Sequence, residues 1–379
     1  MNYEEPSALP PQPNPQAENN PVQTVPVPMV QGAPAELAVS PPVNIPPQYA
    51  DRRTGLVIFG VGQIILGLLA ALMVPLVALS VFVSHLAPGA RMRPGQFLGA
   101  IASYAFIAAA LLTLGIGSVQ CRRWARALTV VTAWYWLVTG VLITVLLTAA
   151  LPVTVKGILQ AQRGAAAGSP ALSEGVMAVI LTIIIVFAAF FLIIVPAAFA
   201  AFYGRRDVAE TCRHRDPVER WTDRVPLPVL GACLVFSVQS LYLLLTGFST
   251  PLFPFFGRYL TGVPGFACYL TFAVVDGALA IAFYGLKPAA WWVAVIAAPI
   301  RLASMALTFL KADLIQAYSK MGFTSEELKV VNSSPLLRGH VLLWWGLISA
   351  ILFLGYVIWL KRYFQTRVSP QVQALPAQV

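Results

Sequence analysis

Charged residues are scarce in this chain. Of its 379 residues, 11% are Asp, Glu, Lys or Arg and 58% are hydrophobic. A typical soluble domain has about 25% charged residues, so a chain this long and this poor in charge cannot cover a large water-exposed surface. The shortage excludes an ordinary soluble globular protein.

Catalytic motifs are also lacking. The chain has three histidines and four cysteines, and it contains no His-Glu-x-x-His, no Gly-x-Ser-x-Gly and no phosphate-binding glycine-rich loop. Cys212 and His214 lie two residues apart, but two ligands do not make a zinc site. We therefore predict a non-enzyme with no catalytic residues, no metal and no cofactor.

Long apolar runs dominate the sequence instead. A helix needs ~20 apolar residues to cross a bilayer, and within lipid only a helix or a closed barrel pairs every backbone group. The runs are continuous, which favours helices. The sequence predicts an all-α transmembrane, eight-helix bundle with spans at 56–83, 97–119, 127–151, 176–203, 229–248, 266–285, 291–310 and 341–360.

Basic residues between the runs predict the orientation. Assigning the connections to alternate faces puts fifteen Lys and Arg on one face and nine on the other. Because cytoplasmic loops carry the excess of positive charge, both termini are predicted to be cytoplasmic, in a bacterial inner membrane. The fifteen are Arg52, Arg53, Arg122, Arg123, Arg126, Arg205, Arg206, Arg213, Arg215, Arg220, Arg224, Lys287, Lys361, Arg362 and Arg367.

The excess of basic over acidic residues gives the chain a net charge of +10. Arginines that hold loops against anionic lipid explain it, and no motif for binding nucleic acid is present. The predicted partners are the bilayer and a small solute or ion, with no nucleic acid.

The spans fall into two similar sets of four. Gly117 and Trp124 flank the turn between the second and third spans, and Gly285 and Trp292 flank the turn between the sixth and seventh. Val61-Gly-Gln63 and Ser237-Val-Gln239 match in the first and fifth spans. The sequence thus predicts two parallel four-helix repeats, at 51–204 and 229–365, joined by a charged cytoplasmic linker at 205–228. The alternative is that membrane helices resemble each other by composition.

Both ends of the chain and one segment between the spans are the remaining features of the sequence. Residues 1–50 contain thirteen prolines and no Lys or Arg, and together with residues 366–379 they are predicted to be disordered tails. The proline-rich tail is either passive or a ligand for a protein partner. Thr324-Ser-Glu-Glu327 is a capping box that predicts a short helix through Val331.

Polar residues inside the spans are the candidate site. Asp276 and Arg301 each lie nine or ten residues from the predicted cytoplasmic helix ends, which places both ~15 Å deep, at 1.5 Å per residue. A short turn joins their helices, so we expect a buried Asp–Arg pair. Gln63 and Gln239 are the other intramembrane polar candidates. Counting back 168 residues gives Ala108 and Ala133, so the charged pair is predicted only in the second half.

The linker carries a resemblance. It reads Phe202-Tyr-Gly-Arg-Arg-Asp-Val208, then Trp221-Thr-Asp-Arg224 and Pro226-Leu-Pro228. This segment resembles one in uncharacterised bacterial multi-pass membrane proteins of the acidobacterial type, with weaker similarity at Arg122-Arg-Trp-Ala-Arg-Ala-Leu128. The resemblance implies the same eight-span topology and no activity.

Two functions remain open from the sequence, besides a membrane enzyme, for which the chain has no motif. One is a small-solute or ion transporter with a polar site between helices, which requires a water-filled pocket reaching Asp276 and Arg301. The other is a non-catalytic membrane scaffold or interaction protein, in which a dry Asp276–Arg301 pair is structural.

Overall fold

Most of the chain forms long helices. The computed structural model describes residues 49–86, 94–163, 173–321, 323, 325, 328 and 339–365. Apart from Tyr49 and Ala50, the predicted disordered tails lie outside this part, as does most of the helix predicted after Thr324. The long helices are α1 (Arg53–Leu86), α2 (Pro94–Val119), α3 (Arg123–Arg163), α4 (Glu174–Ala189), α5 (Val195–Tyr203), α7 (Leu227–Ser249), α8 (Gly262–Tyr284), α9 (Pro288–Lys311) and α11 (Gly339–Trp359).

Shorter elements join them. A π-helical turn, Phe190–Ile194, connects α4 and α5 into one continuous span. The others are α6 (Arg206–Arg215), a 3₁₀ turn (Trp221–Asp223), the strands β1 (Leu252–Phe255) and β2 (Arg258–Thr261), α10 (Leu314–Lys320) and α12 (Lys361–Gln365).

Eight helical segments of the described chain are long and apolar enough to cross a membrane. They coincide with the eight predicted spans to within a few residues, and the all-α bundle is confirmed. Local signals fix several helix starts: the Ser173 side chain accepts the Val176 N–H at the start of α4, and Pro288 opens α9, where a missing N–H does no harm.

Each set of four helices packs in the same order. α1 packs along α2, and α3 packs against α4 and α5. In the second set α7 packs along α8, and α9 packs against α11. Each set has its own apolar core, around Leu56 and Tyr203 in the first and around Val229 and Phe283 in the second.

Between the two sets, α7 occupies a groove formed by α2 and α3. Leu230 of α7 packs with Ala127 and Val131 of α3. Farther along the same groove, a Cβ on Gly99 of α2 would press on the Ser249 side chain of α7. This contact surface is apolar.

The turns at α2–α3 and α8–α9 have the same backbone geometry. Cys121 and Leu286 have φ values of 55° and 52°. The Arg122 N–H donates to the Gly117 carbonyl at 2.8 Å, and the Lys287 N–H donates to the Ala282 carbonyl at 3.1 Å. These bonds, made five residues back, define Schellman motifs. Leu286 lies 286 − 121 = 165 positions after Cys121, three fewer than the 168-residue offset predicted from glycine and tryptophan.

Pro196 explains the π-helical turn. In an uninterrupted α-helix the N–H of residue 196 would bond the Leu192 carbonyl, and proline has no N–H. The backbone adds a residue to the turn, so the Val195 N–H bonds Phe190 O. The Leu192 carbonyl lies against Gly140 of α3, where a Cβ would overlap the carbonyl oxygen. Gly140 is therefore required for this approach of the two helices.

Candidate functional site

Asp276 and Arg301 form a direct ion pair. Arg301 Nη1 donates to Asp276 Oδ2 at 2.9 Å, and Nη2 lies 2.7 Å from Oδ1. The Asp276 side chain is 0% exposed and the Arg301 side chain is 30% exposed. The predicted pairing of these two residues is confirmed. The first contact is a charge-assisted hydrogen bond, whereas the second is a close contact of opposite charges, since Asp276 Oδ1 and Arg301 Nη2 have no hydrogen-bond partner among the described residues.

Helix periodicity positions the aspartate. The buried residues of α8 include Tyr269, Ala273, Asp276, Ala280 and Phe283, spaced three and four apart. They form the inward face of the helix. The carboxylate therefore points into the bundle, where an unpaired charge would be strongly destabilising.

Aromatic rings cover the arginine. The Arg301 guanidinium carbon lies 4.7 Å from the centre of the Phe272 ring, and Phe272 is stacked on Phe253 of β1, with ring centres 5.2 Å apart. A cation over a ring is stabilised where water is excluded. The strand β1 thus supports, through Phe253, the ring that lies against the guanidinium.

The β1–β2 hairpin is fastened to α9. The Ser304 hydroxyl accepts the Phe256 N–H at 3.1 Å and donates to the Pro254 carbonyl, and the Thr308 hydroxyl accepts the Gly257 N–H. Sequence reasoning missed this hairpin. Its signal was Phe256-Gly257, a two-residue turn in which both φ values are positive.

Gln63 lies at a second polar contact, in the first half. Its side chain is 2% exposed, and its Nε2 donates to Thr129 Oγ1 at 3.3 Å. Within the described residues its Oε1 has no hydrogen-bond partner. A void of about 10 Å³ adjoins it, lined among others by Leu111, Trp136 and Phe199. This volume suits one water molecule.

Gln239 is exposed on α7, so it does not lie in an interior site and has no part in the contacts of Gln63. Its match with Gln63 fails because the buried position on α7 is Phe236, three residues earlier. The sequence match of Val61-Gly-Gln63 with Ser237-Val-Gln239 does not distinguish an inward from an outward face.

Two cavities on the described part of the chain lie away from the ion pair. One is the void at Gln63, and the other is an open groove of about 390 Å³ lined by Thr144, Val145, Thr148 and Ala149 on α3. Neither is lined by Asp276 or Arg301. Among the described residues, no three His, Cys, Asp or Glu side chains group as metal ligands.

The linker is structured and gathers helix ends on one face of the bundle, called here the linker face. The Arg52 N–H donates to Thr211 Oγ1 at 3.1 Å, and the Arg123 N–H donates to Asp216 Oδ2 at 3.3 Å. Tyr284, at the end of α8, donates to the Trp221 carbonyl at 3.0 Å. Asp223 of the linker pairs with Arg123 of the first half, with its Oδ2 3.2 Å from Arg123 Nε.

Comparison with protein-family models, curated proteins and solved structures finds no match for this chain. The resemblance of the linker to acidobacterial-type membrane proteins stays a prediction.

Asp216 is the most buried charge of the linker, at 3% exposed. Burial alone would raise its pKa, but hydrogen bonds from Arg220 and from the Arg123 N–H, with the charge of Arg122, outweigh burial and lower it. A lowered pKa means that the carboxylate stabilises the fold above its ordinary pKa of about 3.9. This stabilisation is lost as the pH falls below that value.

Asp216→Asn should reproduce the acid effect at neutral pH. We expect the contacts of residues 216–224 to loosen by about 1.5–3 kcal/mol, the range for hydrogen bonds to charged groups. Hydrogen exchange of the linker amides measures this. The exposed neighbour Glu219, replaced by glutamine, is the control. Equal exchange in both variants would show that Asp216 does not hold the linker.

Proposed function

We propose that this chain is a non-catalytic integral membrane scaffold in which the Asp276–Arg301 pair is structural. The observation that carries the proposal is the pair itself. Both carboxylate oxygens lie within 2.9 Å of one guanidinium, and the Asp276 side chain is 0% exposed. A guanidinium this close neutralises the carboxylate and lies against both of its oxygens, which favours a structural role for the pair.

Exposed apolar side chains support insertion in a bilayer. Ile281 is 75% exposed, Phe187 66% and Ile183 62%. The span from Gly175 to Tyr203 has a mean hydropathy of 3.3. Soluble monomers rarely expose continuous apolar surface of this extent, whereas lipid tails cover it without penalty.

The position of the linker face supports an orientation with both termini cytoplasmic. Contacts at this face join the start of α1, the α2–α3 turn, the linker and the end of α8. These segments carry most of the fifteen basic residues on one side, and positive charge favours the cytoplasm. A bacterial inner membrane is the compartment that we propose.

Equivalent contacts in the two halves support two parallel four-helix repeats. Arg126 Nε donates to the Tyr203 carbonyl at 3.1 Å, and Trp291 Nε1 donates to the Val357 carbonyl at 2.7 Å. Trp291 follows Arg126 by 165 residues, the offset of the two turns. Tyr203 and Val357 are both 0% exposed. A shared side-chain bond to the last helix of each set is not expected from composition alone.

The repeat assigns a counterpart to the ion pair. At the 165-residue offset, Asp276 and Arg301 correspond to Leu111 and Trp136, and both of these line the void at Gln63. This replaces the predicted counterparts Ala108 and Ala133. The first half therefore fills the equivalent position with apolar side chains, which favours a structural role for the pair.

One observation favours the alternative, a small-solute or ion transporter. Within the described residues Asp276 Oδ1 and Arg301 Nε and Nη2 have no hydrogen-bond partner, and part of the Arg301 side chain is exposed. A transport site would need water to reach the pair from one face.

Cysteine labelling decides between the two functions. Ala273, one turn from Asp276, is 1% exposed. In a Cys268→Ala background, Ala273→Cys should resist a water-soluble maleimide in intact membranes, while Phe256→Cys at the hairpin turn should react. Rapid labelling of Ala273→Cys would indicate a water-filled path to the pair and overturn the scaffold proposal.

A further inference from the structure

The two halves are joined head to tail. α7, the first helix of the second half, occupies the groove between α2 and α3 of the first half. Twofold symmetry would also place α1 against α8 and α9, but no such packing is found between these helices in the described chain beyond isolated contacts. The interface is therefore heterologous, and it leaves one surface of each kind vacant.

Both vacant surfaces are apolar and exposed. At the 165-residue offset, Ala127, Leu128 and Val131 of the groove correspond to Trp292, Val293 and Ile296 of α9. Their exposed fractions are 56%, 47% and 56%. The other surface is on α1, the counterpart of α7. Leu56 of α1 and Val229 of α7 are both fully buried at the start of their helices, and matching them relates α1 to α7 by an offset of 173 residues.

That offset gives Val57 and Val61 as the contact residues of α1. Val61 is 43% exposed, and a Cβ added to the next residue, Gly62, would meet nothing within 4 Å. The vacant face of α1 therefore has the same position in its half as the α7 face that is already docked.

Side-chain volumes complement each other across the vacant surfaces. In the occupied interface, large Leu230 and Leu234 of α7 pack with small Ala127 and Val131. On the vacant surfaces the sizes are exchanged, because the large residues Trp292 and Ile296 lie on α9 and the smaller residues Val57 and Val61 lie on α1. Close packing is the main source of helix association in lipid, so this exchange favours a specific fit.

We propose that α1 of a second copy of this chain docks on α8 and α9, repeating the contact that α7 makes with α2 and α3. The proposal rests on the duplication described above and names the partner of the scaffold. Parallel repeats have the same orientation in the bilayer, so the operation that relates the halves places the next copy in the same membrane, the same way up. A heterologous contact of this kind builds a ring or a linear array.

Disulfide crosslinking in membranes tests the contact. Val61 and Ile296 correspond to Leu234 and Val131, which belong to one packed cluster. In the Cys268→Ala background, a chain with both Val61→Cys and Ile296→Cys should give dimers and larger multiples on mild oxidation. Chains with one of these cysteines each, produced together, should give dimers only.

Three results would overturn the proposal. Crosslinking of Val61→Cys with itself would indicate a symmetric α1 contact. The control pair is Ile296→Cys with Val179→Cys, because Val179 of α4 is 59% exposed; equal crosslinking of this pair would indicate random collision. A folded chain that stays uncrosslinked would exclude the contact. The maleimide test is independent, because it reports water access to Asp276 in a single copy.

Discussion

Replacing Asp276 by alanine is expected to destabilise the protein by about 3–5 kcal/mol, the usual effect of removing one partner of a buried pair. The guanidinium of Arg301 would remain beside Phe272 without a counter-charge. The measurement is the free energy of unfolding in detergent or bicelles. A loss of membrane-inserted protein in cells should follow.

The matched control removes both charges. Asp276→Leu with Arg301→Met keeps the volume and leaves no unpaired group, so its stability should lie near that of the parent, because apolar residues often replace a buried pair without loss. Leu111 and Trp136 show that apolar residues fill the equivalent position of the first half. If the double variant is as unstable as the single one, the pair has a role that apolar packing cannot replace.

Gly140→Ala is expected to be the most disruptive small substitution in the first half. Its Cβ would overlap the Leu192 carbonyl oxygen, and neither backbone can give way as a flexible side chain would. Overpacking usually destabilises by 1–3 kcal/mol, and a backbone overlap should reach about 3 kcal/mol or more. Thermal unfolding of the purified variant measures this.

Gly355→Ala provides the control for this prediction. A Cβ at Gly355 of α11 meets nothing within 4 Å, so alanine should be neutral or stabilise by up to ~1 kcal/mol through helix propensity. Adding Pro196→Ala to Gly140→Ala should recover part of the loss, because residue 196 regains an N–H for the carbonyl one turn back. Unchanged stability of Gly140→Ala would mean that α3 and the π-helical turn do not approach this closely in the membrane.

The helices and the ion pair could be predicted because their signals are local. An apolar run of the right length defines each span, and the depths of Asp276 and Arg301 follow from counting residues along two helices joined by a short turn. Neither inference needs knowledge of distant packing.

The register of the two halves could not be predicted in the same way. Gly117 lies inside α2, where a Cβ would press on Trp124 and Ala125, whereas Gly285 follows the end of α8, where a Cβ would make only ordinary van der Waals contacts. The same residue type thus serves two purposes, and matching by residue type gives an offset three larger than matching by the backbone of the two turns. The hairpin was missed because the aromatic residues of 253–256 obscure the loop between the fifth and sixth spans. The π-helical turn depends on Gly140, which is 52 residues from Leu192.

The linker contacts have a consequence for synthesis of the chain. Asp216 and Asp223 bind the α2–α3 turn through Arg123. The first half can therefore form these linker contacts once residue 223 has left the ribosome, before α8 has been synthesised. At that moment the groove between α2 and α3 is empty, and α7 is the next helix to emerge. We expect the nascent chain to occupy its groove first, which limits capture of the α1 helix from another copy to the second, later surface.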